Sequence, residues 1–262
     1  MLAEGMGIRS CERLTGLNRR TILGILETAG QECAHLLDSK LVNLHLQEVQ
    51  IDEVYAFVHC LQQDTYPEDQ IHADQYTFLA VDRPSKLIAH CFVGKRTKQN
   101  AVAFLRGLKQ RINGRMQLTS DPWTSYHSYL GAVFEVFRES IVYGTEMKYF
   151  AKTPGLGPDR RENPVVLQWV KREAKIGCPD PHKITTAHVE RTNLSVRLFN
   201  RRFTRKTLGY SKKLRNLKHS VALLVAHFNF CRVHSTHSVT PAMAAGLTDH
   251  VWIIAELLQA AN

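Results

Sequence analysis

The chain is predicted to fold as an α/β domain, a mixed sheet flanked by helices, entered through a small helical segment. Three observations predict it. Helix-spaced apolar residues fill the first stretch, three runs rich in β-branched and aromatic residues then follow with short connections, and helical and strand-like runs alternate after them. Strands joined by tight turns pair antiparallel, whereas strands separated by a helix pair parallel, so the sheet holds both kinds of pairing. With 262 residues, 44% hydrophobic content, 9 prolines and 15 glycines, the chain can bury the core of one medium domain and a small appendage.

The first segment, residues 1–45, reads as two short helices around a tight turn. Arg9 to Leu14 is the first helix, Thr15-Gly16-Leu17-Asn18 the turn, and Arg19 to about Asp38 the second, with Ile22, Ile25 and Leu26 at helical spacing and Cys33, Leu36 and Leu37 further on. Asn18 is the expected N-cap. The step from Gly16 to Ile22 is that of a helix-turn-helix, whose second helix presents Arg19, Arg20 and Thr21 to a major groove. An ordinary helical hairpin explains the spacing equally well, and Glu12 stands where such motifs usually carry a small residue.

Residues 46–262 form the main domain. Val49 to Val58 is the first strand, and Tyr76 to Val81 and Lys86 to Val93 are the next two, joined at Asp82-Arg83-Pro84-Ser85, in which Asp82 is a turn residue. Thr97 to Arg111 is an amphipathic helix built on Val102, Leu105 and Leu108. Arg115 to Leu118 is a short strand running into Thr119-Ser120-Asp121; Ser125 to Leu130 is a helix, and Val133 to Val136 a last strand. This order is that of a ribonuclease-H-like sheet. An irregular insertion from residue 144 to 186 follows, punctuated by Pro154, Gly155, Gly157, Pro158, Pro164, Pro179 and Pro181.

No apolar run reaches the roughly 18 residues of a membrane span, and the start lacks a charged leader followed by an apolar stretch. No membrane association and a cytoplasmic location are expected. The six cysteines are scattered without metal-knuckle spacing, so they read as reduced, mostly buried thiols.

The net charge of +10 is unevenly placed. Residues 138–218 carry 19 Lys and Arg against 7 Asp and Glu, leaving 15 against 17 elsewhere. From Arg191 to Thr248 there are 11 basic residues and no acidic one. A solvated helix face would be laced with Glu at helical spacing; a one-signed stripe calls for a polyanion such as nucleic-acid phosphate. Arg197, Arg201, Arg202, Arg205, Lys206, Lys212, Lys213 and Arg215 are the candidate phosphate contacts, with Asn193 on the same polar side of its helix. These hold DNA in place without reading its sequence.

Three acids stand out against this background. Asp52 lies mid-strand, Asp121 ends the fourth strand, and Glu190 opens a helix, Ala187 to about Phe203, whose buried stripe is Val189, Val196, Phe199 and Phe203. Glu53 must face away from Asp52 because strand side chains alternate. The fourth strand lies beside the first in such a sheet, so Asp121 meets Asp52 across the strand spacing of about 5 Å. Three carboxylates so placed can hold two metal ions that activate a nucleophile and stabilise the leaving oxygen of a phosphodiester. Each acid taken alone is more often structural. His234, near Arg232 and after Phe228 and Phe230, is a candidate lining residue or a packing histidine.

Ile51-Asp52-Glu53-Val54-Tyr55-Ala56-Phe57-Val58, Leu118-Thr119-Ser120-Asp121, His188-Val189-Glu190-Arg191-Thr192-Asn193, Arg201-Arg202-Phe203-Thr204-Arg205-Lys206-Thr207, Phe228-Asn229-Phe230-Cys231-Arg232-Val233-His234 and Thr240-Pro241-Ala242-Met243-Ala244-Ala245-Gly246-Leu247 occur in this order. They resemble bacterial transposases of the insertion-sequence-one (IS1) family, from about Gly7 to the end. The resemblance implies a ribonuclease-H-like fold and an Asp-Asp-Glu triad carried onto Asp52, Asp121 and Glu190. It implies two Mg2+ ions, for which Mn2+ substitutes, one between Asp52 and Asp121 and one between Asp52 and Glu190. The implied partners are double-stranded DNA, as terminal inverted repeats and target, with the protein a homo-oligomer on DNA in the bacterial nucleoid. Two departures stand out. Relatives carry further residues before the helix-turn-helix, and Pro122 follows Asp121 where a small, flexible residue is common. A repressor that only binds DNA, a ribonuclease-H-like hydrolase that cuts without joining and a catalytically decayed transposase are the competing readings.

Overall fold

The computed structural model describes residues 1–66, 68–122, 129–152, 165–204 and 207–259. Arg205 and Lys206, the greater part of the expected 125–130 helix, and Pro154, Gly155, Gly157, Pro158 and Pro164 lie outside them.

The N-terminal segment folds as two helices, α1 (Ile8–Thr15) and α2 (Arg19–Lys40), around Gly16, whose φ of 71° is left-handed. The start of α2 is capped twice: Asn18 accepts from the Arg20 N–H at 2.9 Å, and Glu12 accepts from the Arg19 N–H at 3.1 Å. Glu12 thus has a local purpose that a small residue could not serve. Ile22 and Leu26 are buried, but Ile25 is exposed, which narrows the expected apolar stripe.

A six-stranded sheet follows. Its strands are β1 (Glu48–Val58), β2 (Ala73–Asp82), β3 (Ile88–Gly94), β4 (Gln117–Ser120), β5 (Val142–Lys152) and β6 (Val165–Ile176), in the order β3-β2-β1-β4-β5-β6. β4 runs parallel to both β1 and β5; all other pairs are antiparallel. Asp82 takes its turn role, accepting from the Ser85 N–H at 3.0 Å and from its hydroxyl at 2.6 Å. Helix α3 (Lys98–Arg111) is capped by Thr97 and buries Val102, Leu105 and Leu108 as expected.

The expected strand at Val133 to Val136 is instead part of α4 (Tyr129–Phe137). Ala132, Val133, Val136 and Phe137 are buried, a helical period that a four-residue window reads as a buried strand. The fifth strand comes later, and the supposed irregular insertion contributes the paired strands β5 and β6. Gly144 lies inside β5, where an added Cβ would sit 2.6 Å from Ile184. Its lack of a side chain lets the Ile184 segment pack against the strand.

The rest of the chain forms α5 (Ala187–Phe199), α6 (Leu214–Ala226), a π-helical turn at His227–Cys231, α7 (Pro241–Ala244) and α8 (Ile254–Gln259). Helix α5 stops at Phe199, short of Phe203, because Asn200 turns extended and its side chain caps a new turn at Arg201–Phe203; Phe203 is buried all the same. Helices α2 and α6 pack closely, since an added Cβ at Gly30 would lie 2.4 Å from that of His219. Leu26, Cys33 and Leu36 of α2 share one core with Val49, Ile51 and Leu79 of the sheet. Buried Asn229 accepts from the Ile88 N–H at 3.0 Å and donates to its carbonyl at 2.9 Å, acting as a neighbouring strand for the edge residue of β3.

All six cysteines are free, but only Cys11 and Cys33 are buried and Cys178 is exposed, so burial is less general than expected. Among the described residues, no helix is long and apolar enough to cross a membrane.

Candidate active site

The sheet register brings two of the three acids together. Ile51 of β1 pairs in parallel with Ser120, the last residue of β4, so Asp52 on β1 and Asp121 just beyond the end of β4 come next to each other. Asp52 Oδ1 accepts from the Glu53 N–H at 2.8 Å, and Oδ2 accepts from the Asn193 side-chain amide at 2.6 Å. Burial, followed by the charge of Asp121, pushes the Asp52 carboxyl up to about 7. Burial also raises Asp121, with Arg96 opposing and Glu190 adding to the shift. Asp121 Oδ1 is buried and has no hydrogen-bond partner among the described residues.

Glu190 approaches from the third element. Its helix is anchored to β1 by Gln50, whose side-chain oxygen accepts from the backbone N–H groups of His188 and Val189, each at 3.0 Å. Gln50 therefore caps α5, while Asp52, two residues along the same strand face, is bonded to Asn193 one turn later. Glu190 itself accepts from Thr186 Oγ1 at 2.6 Å and from Lys148 Nζ at 2.5 Å. Its charge raises both aspartates, yet it is held at the rim by the lysine. Among the described residues, no three His, Cys, Asp or Glu side chains are grouped so as to hold a metal ion as they stand.

The donor set nevertheless suits a hard divalent cation. Adjacent carboxylates raised by burial, one with an orphaned oxygen, are the groups whose charges such a cation neutralises. Asp52 and Asp121 would hold it, and Glu190 would join them on leaving Lys148.

Glu53 turns to Arg96, whose guanidinium lies 3.1 Å from its carboxylate and over the ring of Tyr76. The expected alternation of Asp52 and Glu53 thus holds, with the additional finding that Glu53 carries a partly buried ion pair. Asn193, expected to face DNA on the polar side of its helix, is buried against Asp52. Arg202 turns inward, donating to Ser211 at 2.8 Å and Ser220 at 3.2 Å, and burial holds its guanidinium down at about 10. Arg197 is half-buried, while Arg201, Lys212, Lys213 and Arg215 are exposed, as are Arg19, Arg20 and Thr21 at the start of α2. Arg215 lies 3.3 Å from Glu27. His234 sits beside His237, with ring centroids 5.8 Å apart, and bridges to Val239.

Sequence reasoning missed Gln50, Arg96, Glu146 and Lys148, and misjudged Asn193. Two of these carried a signal: Gln50 is two residues from Asp52 on an alternating strand, and Asn193 is three from Glu190 on a helix, so each shares a face with a candidate acid. Compared with protein families and with curated proteins, the chain matches none.

Proposed function

We propose that the chain is a DNA transposase, with a ribonuclease-H-like catalytic domain that cuts at insertion-sequence ends and joins them to target DNA with Mg2+. The observation that carries the reading is the pair of adjacent, partly buried carboxylates, Asp52 and Asp121, the latter with a buried oxygen that has no hydrogen-bond partner among the described residues. The strand order, with three antiparallel strands followed by two parallel to the first, supports the fold assignment.

A divalent cation bound there supplies Lewis-acid stabilisation and lowers the pKa of a coordinated water or hydroxyl. Asp52 and Asp121 supply the charge that retains it. Asn193 orients the Asp52 carboxylate, and Gln50 fixes the helix that brings Glu190 alongside. Exposed Arg201, Lys212, Lys213 and Arg215 hold phosphates, which positions the DNA, while Arg19, Arg20 and Thr21 meet a major groove.

The deciding experiment incubates the protein with labelled transposon-end DNA, target plasmid and Mg2+. Joined product is expected. Nicked ends without joining would make the chain a hydrolase of the same fold. Binding without either product favours the decayed transposase, the second reading, to which the ion-paired state of Glu190 lends support.

Two predictions separate the DNA surfaces. Replacing Arg201, Lys212 and Lys213 together by Gln should weaken binding to all duplexes alike and flatten the log–log salt slope by roughly 0.9 for each phosphate left without its cation. An unchanged slope places the DNA elsewhere. Arg19→Ala or Arg20→Ala should instead reduce discrimination between transposon ends and random duplex while sparing cleavage of a pre-nicked end. Equal discrimination in variant and parent would reduce α1 and α2 to a packing hairpin.

A further inference from the structure

The carboxylate of Glu190 belongs to two clusters. One is the pair Asp52 and Asp121, which it influences through its charge. The other is built on β5 and the start of α5: Lys148 Nζ lies 2.5 Å from Glu190 Oε1, 3.1 Å from Thr186 Oγ1 and 3.4 Å from Glu146 Oε2. Lys148 thus donates to Glu190 and Thr186 and stands within ion-pair distance of Glu146, with a third N–H to offer it.

Glu146 and Glu190 are not equivalent partners. The side chain of Glu146 is 2% exposed and accepts from Arg172 Nε at 3.1 Å, from the Thr186 N–H at 2.9 Å and from Thr186 Oγ1 at 3.1 Å. It is a fixed anion. The side chain of Glu190 is 46% exposed at the rim, and among the described residues the Thr186 hydroxyl and Lys148 hold it. The Thr186 hydroxyl has one proton and two carboxylates within reach, 2.6 Å to Glu190 and 3.1 Å to Glu146. When Glu190 leaves, that proton and the lysine can both turn to Glu146, so the departure strands no buried polar group and carries little of the penalty such an event usually has.

We propose that Lys148 is a positioning residue that holds Glu190 away from Asp52 and Asp121 until a divalent cation draws it in, with Glu146 retaining the lysine afterwards. The inference rests on the reading of the three acids as a cation site. Lys148 competes with the incoming cation in two ways. It neutralises one of the carboxylates, and its own charge repels a second cation nearby.

The test is Mn2+ binding to the full chain, followed by the electron paramagnetic resonance signal of free Mn2+, with no nucleic acid present. Lys148→Met should tighten Mn2+ binding by roughly three- to tenfold, the worth of a partly exposed ion pair plus the removed repulsion. Lys148→Gln keeps a donor for Glu146 and Thr186 and should act in the same direction, which guards against a folding defect in the methionine variant. Lys148→Arg keeps the charge and should restore the parent affinity. Glu190→Gln should weaken binding more in the Lys148→Met background than in the parent. Unchanged or weaker Mn2+ binding in both neutral variants overturns the proposal, as does an arginine variant that behaves like methionine. Asp52→Asn is the separate control: if it leaves Mn2+ binding intact in the parent chain, the cation site itself is refuted, whatever Lys148 does.

Discussion

Asp52→Asn is expected to reduce strand cleavage and joining to background, leave DNA binding intact and, in metal-free buffer near pH 8, raise the melting temperature. The carboxylate is held in place by Asn193, so the amide fits the same space with one charge removed. The sign of the stability effect follows from the shift. Burial and the Asp121 charge raise the folded-state pKa from the ordinary 3.8 to about 7, so the folded protein favours the protonated acid. Its stabilising contribution is complete below the unfolded value and is lost as pH rises from about 4 through about 7. At pH 8 the parent pays for an ionised buried carboxylate and the asparagine variant does not, a difference of roughly 2–4 kcal/mol or roughly 5–10 °C for a chain of this size. Near pH 4 the two should melt alike. A pH-independent difference would mean that Asp52 is not the strained group. Glu53→Gln should cost far less activity, because it keeps a hydrogen-bonding oxygen for Arg96. Losses reversed between the two neighbours would shift the strand register by one residue.

Gln50→Met is expected to destabilise the protein by roughly 2–4 kcal/mol, because two backbone N–H groups at the start of α5 lose their acceptor and each unmade buried bond costs about 1–3 kcal/mol. Activity should fall further than stability alone explains, on the order of 10²-fold, since a displacement of about 1 Å in a reacting group has that effect. Gln50→Glu retains the acceptor beside a helix N-terminus and should recover most of the stability. Thermal melting and the joining assay read the two effects separately. A methionine variant with parental melting temperature and activity would mean that the buried side chains of Val189 and Val196 on α5 hold the helix unaided.

Both predictions turn on residues whose importance is set by neighbours far along the chain. Alternation along Val49 to Val58 determined that Asp52 and Glu53 face opposite ways, and the cap at Asn18, the turn at Asp82 and the stripe of α3 follow from local chemistry alone. Local signals suffice there because period, capping and turn residues act within a few positions. They fail at Val133 to Val136, where a short apolar run fits a buried strand and a buried helix alike, and at β5 and β6, whose strand character depends on pairing, β5 with β4 and β6 with β5. The same limit governs the candidate site. Residue type and order were enough to pick out Asp52, Asp121 and Glu190, and parallel pairing of β1 with β4 makes the first two neighbours. That Asn193 serves Asp52 and not the solvent, that Arg202 turns inward, and that Glu190 is claimed by Lys148 were decided by tertiary packing alone. A side chain's partner depends on which element lies opposite, and burial then multiplies the strength of whatever charge or hydrogen bond it meets there.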